Sequence, residues 1–233
     1  MGDRAAGSSH ASPVAPRAQR AVGLLGGTFD PIHFGHLRMA EELASWLSLD
    51  RVRFIPAAMP PHRPQPRTGI RHRVEMTRLA IEGNPRFVLD MREVEHDGMS
   101  YTVETLTSLR AEVGRDSPLW LFMGVDAFLG LGTWKNWSEL ITLANIAVAH
   151  RPGYRLAQAD ALSDNLRDFL QRHQIKAVVG NHAAGQIILR PVTQLDISAT
   201  AIRTAIREGS SPRYLLPDPV LDYIHTNHLY LHA

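Results

Sequence analysis

The sequence contains no cysteine and only two lysines, Lys135 and Lys176. Without cysteine the chain can form no disulfide, no thiolate metal site and no cysteine nucleophile. Neither lysine follows a glycine, so the Gly-Lys phosphate-binding loop of P-loop NTPases is excluded. Any phosphate chemistry must therefore use arginine, histidine and backbone N–H groups.

Long apolar runs are missing as well. No stretch approaches the roughly 18 consecutive apolar residues of a membrane-spanning helix. The N-terminus lacks the apolar core of a secretory signal, so we expect a protein of the cytoplasm. With 233 residues, 44% of them hydrophobic, the chain is long enough to fill one large core.

Positive charge is in small excess, and only at the N-terminus. The whole chain has a formal net charge of +2, and residues 1–20 carry three arginines against one aspartate, which is also +2. The remaining body is formally neutral, which argues against binding to nucleic acid. Residues 1–20 are small, polar and without periodicity, so we predict a disordered leader before a single domain over 21–233.

Short apolar runs alternate with helical patterns along the body. The patterns predict strands at 21–25, 52–56, 87–94, 119–123, 146–149 and 187–189, and helices at 36–47, 71–82, 102–113, 162–173, 198–208 and 219–225. A proline-rich loop is predicted between them at 57–69. Such alternation predicts a doubly wound α/β fold, a mostly parallel sheet flanked by helices that binds ligands at the carboxyl ends of its strands. We expect the helical segment 198–233 to pack on it.

The first motif with chemical content is GGTFDPIHFGH, residues 26–36, between the first predicted strand and the first helix. Two glycines let the backbone approach a ligand, and a helix start offers free N–H groups to an anion. His33 and His36, three residues apart, can both contact one polyphosphate and stabilise its developing charge. The alternatives are two structural histidines in a glycine-rich turn, or a zinc site, for which no third ligand at suitable spacing is visible.

The second motif is ISATAIR, residues 197–203, which opens a later helix. Ser198 can cap that helix, and this is also its purely structural explanation. Thr200 and Arg203 are three apart and face one side of the first turn, where a hydroxyl and a guanidinium can hold an anion.

Together the two motifs resemble those of the nucleotidyltransferases with an H-x-G-H and an I-S-x-T-x-x-R sequence. The full first string is similar to that of bacterial nicotinate-mononucleotide adenylyltransferases, as are the strings PPHR (60–63), SYT (100–102), GVD (124–126), TW (133–134) and RPGY (151–154). The resemblance covers the chain from about residue 21 to its end. Ala199 replaces the commoner second serine, and Arg63 stands where many members have lysine.

The resemblance implies a Rossmann-like fold and a role for each matching residue. His33, His36 and Arg203 would be catalytic, and the ATP site would comprise Gly26, Gly27, Thr28, Phe29, His33, His36, Asp126, Ile197, Ser198, Thr200 and Arg203. The nicotinate mononucleotide site would comprise Asp30, His62, Arg63, Tyr101, Thr102 and Trp134. In it Tyr101 and Trp134 would stack on the nicotinate ring, and the backbone near Thr102 would bind its carboxylate.

Residue chemistry alone leaves several of these roles open. Trp134 could equally be a core aromatic, Tyr101 a surface tyrosine and Asp126 a helix cap, while His62 and Arg63 could lie in a solvated loop.

The reaction implied is transfer of AMP from ATP to nicotinate mononucleotide, giving nicotinate adenine dinucleotide and pyrophosphate in NAD biosynthesis. Mg²⁺ would be held mainly by the phosphates, so no protein metal site is expected. The rival interpretations are a sister transferase with another phosphorylated acceptor, including nicotinamide mononucleotide, and a non-catalytic nucleotide-binding module. We expect small molecules as partners, neither nucleic acid nor membrane, and an assembly of identical subunits stays open.

Overall fold

The structure is a computed structural model, and it describes residues 21–59, 66–96, 98–153, 156, 162–178, 180–193 and 195–231. The predicted leader lies outside the described residues, so the division into a leader and one domain stays a prediction. In the described part of the chain, no helix is long and apolar enough to span a bilayer.

Strands and helices alternate as the sequence pattern predicts. The strands are β1 (Val22–Gly27), β2 (Arg51–Pro56), β3 (Phe87–Leu89), β4 (Leu119–Gly124), β5 (Asn145–His150), β6 (Gln174–Ile175) and β7 (Ile187–Pro191). The helices are α1 (Phe34–Trp46), α2 (Ile70–Ile81), α3 (Arg92–Glu95), α4 (Thr102–Val113), α5 (Val125–Leu129), α6 (Leu140–Leu143), α7 (Asp164–His173), α8 (Ala199–Arg207) and α9 (Asp218–Thr226).

The strands of the described residues form one sheet in the order β3-β2-β1-β4-β5-β7-β6, and every pair is parallel. The prediction of a doubly wound α/β fold is therefore confirmed, with a sheet that is wholly parallel. The strand order reverses between β1 and β4, and ligands of such sheets bind at the carboxyl ends of the strands beside this reversal.

Helices cover both faces of the sheet. Successive residues of a strand point to opposite faces, and Leu24 and Leu25 accordingly enter two different core clusters. The Leu25 cluster is closed by α1, α2, α8 and α9, with Ile202 and Ile224 among its buried residues. The C-terminal helices thus pack on the sheet and bring the second motif to its surface.

The predicted strand over 87–94 is wrong in its second half. Pairing with β2 stops at Leu89, and the carboxyl group of Asp90 accepts hydrogen bonds from the backbone and the guanidinium of Arg92. This local turn competes with the sheet for the backbone and starts the short helix α3 instead. The two-residue strand β6 was also missed, because it is too short to show a periodic pattern.

Candidate active site

The first motif begins with two glycines at the carboxyl end of β1. A Cβ atom added at Gly27 would lie 2.7 Å from the ring of Phe29. Phe29 is buried and has a φ of 50°, in the left-handed region that side chains disfavour. The turn therefore needs a residue without a side chain at position 27, and it leaves the backbone of Gly27 and Thr28 at the sheet edge where a ligand is expected.

His33 and His36 lie side by side at the start of α1, with ring centroids 3.8 Å apart. The backbone N–H of His33, the N-cap residue, donates to Nδ1 of His36 at 3.3 Å. The Phe29 ring meets the His36 ring edge-on at 5.2 Å. Because Nδ1 of His36 accepts a hydrogen bond, the proton of its neutral form lies on Nε2. His36 thus carries an Nε2–H donor suited to a phosphate oxygen.

His33 is the more buried of the two histidines, with 7% of its surface exposed. Burial lowers the pKa of His33 to about 4, so its ring is neutral at pH 7. Its Nδ1 atom is buried and has no hydrogen-bond partner among the described residues. A Cβ atom added at Gly35 would lie 3.0 Å from that Nδ1. Gly35 therefore leaves room for the His33 ring.

The second motif meets the first through Arg203. Its guanidinium donates to the backbone oxygen of Asp30 at 2.6 Å and to the hydroxyl of Thr200 at 3.2 Å. Ser198 caps α8, where its hydroxyl accepts from the N–H of Ala201 at 3.1 Å. The structure thus brings together the two motifs that the sequence singled out, and it confirms the predicted cap.

The two helix starts are also close in space. The carbonyl oxygen of Ile197, just before α8, is 3.9 Å from a Cβ atom added at Gly35 in α1. Each of these helices begins at the carboxyl edge of the sheet. Within the first turns, the N–H of Phe34 donates to the carbonyl of Leu215 at 3.1 Å. The N–H of Ala201 donates to the Ser198 hydroxyl, and the other first N–H groups lie beside them. A polyphosphate between them would meet backbone N–H groups and imidazoles from one side and Arg203 from the other.

Asp30 lies beneath this site and is 5% exposed. Its Oδ1 accepts hydrogen bonds from the hydroxyls of Thr68 and, at 2.7 Å, Tyr230, and its Oδ2 accepts from the N–H of Arg67 at 2.7 Å. Burial and the Asp30 charge raise the pKa of Tyr230, which keeps that donor protonated. In the structure the carboxyl group joins three chain segments, and its predicted contact with the mononucleotide stays a prediction.

Asp126 lies at the matching end of the neighbouring strand. It stands in the first turn of α5, directly after β4, and its side chain is exposed. Because β1 and β4 are adjacent and parallel, Asp126 shares the sheet edge with the first motif. Its predicted contact with the ATP ribose stays a prediction.

Tyr101 and Trp134 pack against the same core cluster, on the face of the sheet covered by α4. Tyr101 is the N-cap residue of α4, and Thr102 begins that helix. Both aromatic side chains are half-buried, which leaves part of each surface accessible. The ammonium group of Lys135 lies 4.1 Å from the centre of the Tyr101 ring and 2.8 Å from a carboxyl oxygen of Glu104. Stacking of a nicotinate ring here stays a prediction, as do the roles of His62 and Arg63, which lie outside the described residues.

A family model described as cytidylyltransferase-like matches residues 24–205. Two curated relatives are named nicotinate-nucleotide adenylyltransferases. The one from Dechloromonas aromatica is 48% identical over 90% of this chain and 97% of its own. The one from Halorhodospira halophila is 47% identical over 86% of this chain and 91% of its own. This chain belongs to the nicotinate-nucleotide adenylyltransferase family.

Solved structures agree on the fold of this family member. The structure titled Plasmodium falciparum nicotinic acid mononucleotide adenylyltransferase complexed with NaAD matches with a TM-score of 0.68. The match covers 92% of this chain and 98% of the chain in that structure, at 15% sequence identity. A second structure of that protein, complexed with APC, gives 0.67. The shared Rossmann-like architecture is thus conserved where most side chains differ.

Sequence reasoning missed Arg73, which is 1% exposed on the buried face of α2. Its guanidinium donates to the backbone oxygens of Thr28 and Ala57 at 2.8 and 2.6 Å, and to those of Ala58 and Thr68 at 3.1 and 3.3 Å. A signal was present, because Arg73 precedes Met76, Ala80 and Ile81 at helical spacing. A charge on a mostly apolar stripe indicates a buried polar contact.

Ser100 and Lys135 were also missed as members of the site. In the sequence Ser100 stands out only as part of the string SYT, yet its hydroxyl accepts from two backbone N–H groups, those of Ala58 and Met59. In the sequence Lys135 stands out only as one of two lysines, yet it lies against Tyr101. Neither contact has a local signal, because the partners are 31 to 42 residues away.

Proposed function

We propose that this chain transfers the AMP group of ATP to nicotinate mononucleotide, which yields nicotinate adenine dinucleotide and pyrophosphate. The observation that carries the proposal is the hydrogen bond from Arg203 to the Asp30 backbone oxygen, which brings the two motifs together. The relatives' name gives the reaction class, and the site has the donors such a reaction needs.

The mononucleotide supplies its own nucleophile. A 5′-phosphate oxygen attacks the α-phosphorus of ATP, the bond from that phosphorus to the bridging oxygen breaks, and pyrophosphate leaves with the electron pair. The phosphate is already anionic at pH 7, so neither a protein nucleophile nor a general base is required. Catalysis then depends on positioning the two substrates in line and on stabilising charge in the transition state.

The donors of the site match that task. His36 offers Nε2–H, Arg203 offers a guanidinium, and the starts of α1 and α8 offer backbone N–H groups. The neutral His33 keeps one ring N–H, from which it can donate, and its other ring nitrogen is an acceptor. We assign these groups to the triphosphate, where they stabilise the departing pyrophosphate more than the bound ATP.

Mg²⁺ fits this site as a companion of ATP. In the described residues no group of three or more histidine, aspartate or glutamate side chains could hold a metal ion, and the Asp30 carboxyl already accepts three hydrogen bonds. We therefore propose that the ion enters on the phosphates and keeps most of its waters. When bound it neutralises phosphate charge, while the chain's own donors orient the nucleotide.

The test is release of pyrophosphate from ATP and Mg²⁺, with nicotinate mononucleotide and nicotinamide mononucleotide offered in parallel. Rapid release with the acid and little with the amide supports the proposal. Equal rates would make the enzyme one of dual specificity. No release with either compound would refute the proposed acceptor and would favour a sister transferase acting on another phosphorylated compound.

A further inference from the structure

The three residues that follow β2, Ala57–Met59, lie between the two halves of the site, and we call them the bridge segment. On one side the N–H of Ala57 donates to the carbonyl oxygen of Gly27 at 2.9 Å. The bridge segment is thereby attached to the first motif, where the proposed function places ATP.

Arg73 strengthens this attachment from beneath. One nitrogen of its guanidinium, Nη1, donates both to the carbonyl of Thr28, at 2.8 Å, and to that of Ala57, at 2.6 Å. The other terminal nitrogen donates to the carbonyl of Ala58 at 3.1 Å. One planar and buried group thus fixes the orientation of a peptide in the first motif relative to two peptides of the bridge segment.

Ser100 attaches the bridge segment on its other side. Its hydroxyl oxygen accepts from the N–H groups of Ala58 and Met59 at 3.0 and 3.3 Å. Its own backbone N–H donates to the carbonyl of Met59 at 3.0 Å. Ser100 directly precedes Tyr101, where the proposed function places the nicotinate ring.

We propose that Arg73 and Ser100 are positioning residues that set the distance and orientation between the ATP subsite and the mononucleotide subsite. The inference rests on the proposed function, and it assigns these side chains no contact with substrate. They act through the bridge segment, whose N–H groups and carbonyls they hold from the two sides.

The chemistry of Arg73 favours this role over a purely stabilising one. Burial lowers the pKa of Arg73, which reflects the cost of removing a cation from water. An apolar side chain would fill the α2 stripe without that cost. An apolar side chain cannot donate hydrogen bonds, so it cannot hold peptide groups of two separate loops in a fixed relative orientation. An in-line reaction requires such fixing, because a misplacement of about 1 Å can lower the rate about 100-fold.

The experiment compares Arg73→Met and Ser100→Ala with the wild-type chain. We expect kcat to fall ~10- to 100-fold in each, because the two substrates no longer meet in line. The Kd of ATP alone and that of nicotinate mononucleotide alone, by isothermal titration calorimetry, should stay within about threefold, because each subsite keeps its own contacts. The two variants together should lose less than the product of their separate losses, because both act on the same segment.

Arg110 offers a matched control. Its guanidinium also donates to backbone carbonyls, those of Leu143, Ser117 and Ala183, but at the amino edge of the sheet. Arg110→Met should therefore lower the melting temperature as Arg73→Met does, yet leave kcat per binding-competent molecule unchanged. Ser100→Thr, which keeps the hydroxyl, should recover most of the activity that Ser100→Ala loses.

Several results would overturn the inference while leaving the proposed function intact. One is a wild-type kcat in the Ser100→Ala variant of an active enzyme. If Arg73→Met does not fold, Ser100→Ala alone tests the inference. Another is a loss of kcat in Arg110→Met as large as that in Arg73→Met. An inactive wild-type enzyme, in contrast, would refute the proposed function itself and with it this inference.

Discussion

The burial of His33 predicts a measurable dependence of stability on pH. The pKa of His33 is lowered from 6.5 to about 4 in the folded chain, because burial disfavours the charged ring. Below pH 6.5 the unfolded chain takes up a proton that the folded chain does not, so stability falls as the pH falls and the loss ends near pH 4. Between pH 7.5 and pH 4.5 the expected loss is about 2 to 3 kcal/mol, at roughly 1.36 kcal/mol for each of the two pH units below 6.5.

Urea unfolding of the wild type and of His33→Asn at these two pH values measures the effect. Both chains carry the same remaining titratable groups, so the difference between their free energies of unfolding isolates His33. Relative to the variant, the wild type should lose about 2 to 3 kcal/mol on going to pH 4.5. A difference that stays constant with pH would refute the claim that His33 is neutral because it is buried.

Three further substitutions test the site. His36→Ala should lower kcat about 100-fold and the affinity for ATP much less, because the ring acts on charge in the transition state. Gly35→Ala should lower kcat roughly tenfold, because the new Cβ atom would lie 3.0 Å from Nδ1 of His33 and displace that ring. Tyr230→Phe should lower the free energy of unfolding by roughly 2 kcal/mol, because the Asp30 carboxyl loses a buried donor.

Controls exist within the chain for these predictions. A Cβ atom added at Gly132 meets no atom within 4 Å. Gly132→Ala should therefore leave the reaction rate unchanged, which makes it the control for Gly35→Ala. Steady-state kinetics of His36→Ala with kcat within about twofold of wild type would contradict the transition-state role. Unfolding of Tyr230→Phe at the wild-type urea midpoint would show that the hydroxyl contributes no net stability.

Features that depend on neighbours in sequence were predictable. The strand, glycine turn and helix start of the first motif follow from residues 22–36 alone. The cap at Ser198 follows from one serine before a helical pattern, and the structure shows its bond to Ala201. The alternation of strands and helices sufficed for the fold class, because each period is a property of a short segment.

Prediction failed where a local turn or a single polar residue decided the outcome. The strand predicted through residue 94 stops at Leu89, because Asp90 offers the backbone a competing hydrogen bond. The hydrogen bonds of Asp30 were likewise not predictable, because its carboxyl accepts them from residues 37 to 200 positions away. No pattern along the chain contains that information. The contact of Asp30 with the mononucleotide stays a prediction.

By itself, then, the sequence determined the family, the order of elements and the two strings to which we assign phosphate binding. Only the tertiary structure decided the environment of those groups. It sets the hydrogen bond from Arg203 to Asp30, the burial that keeps His33 neutral, and the hydrogen bonds from Arg73 to Thr28 and to the bridge segment. The physical reason is that propensity and periodicity act over a few residues. Burial and hydrogen bonding between distant segments exist only after the sheet and its helices have packed.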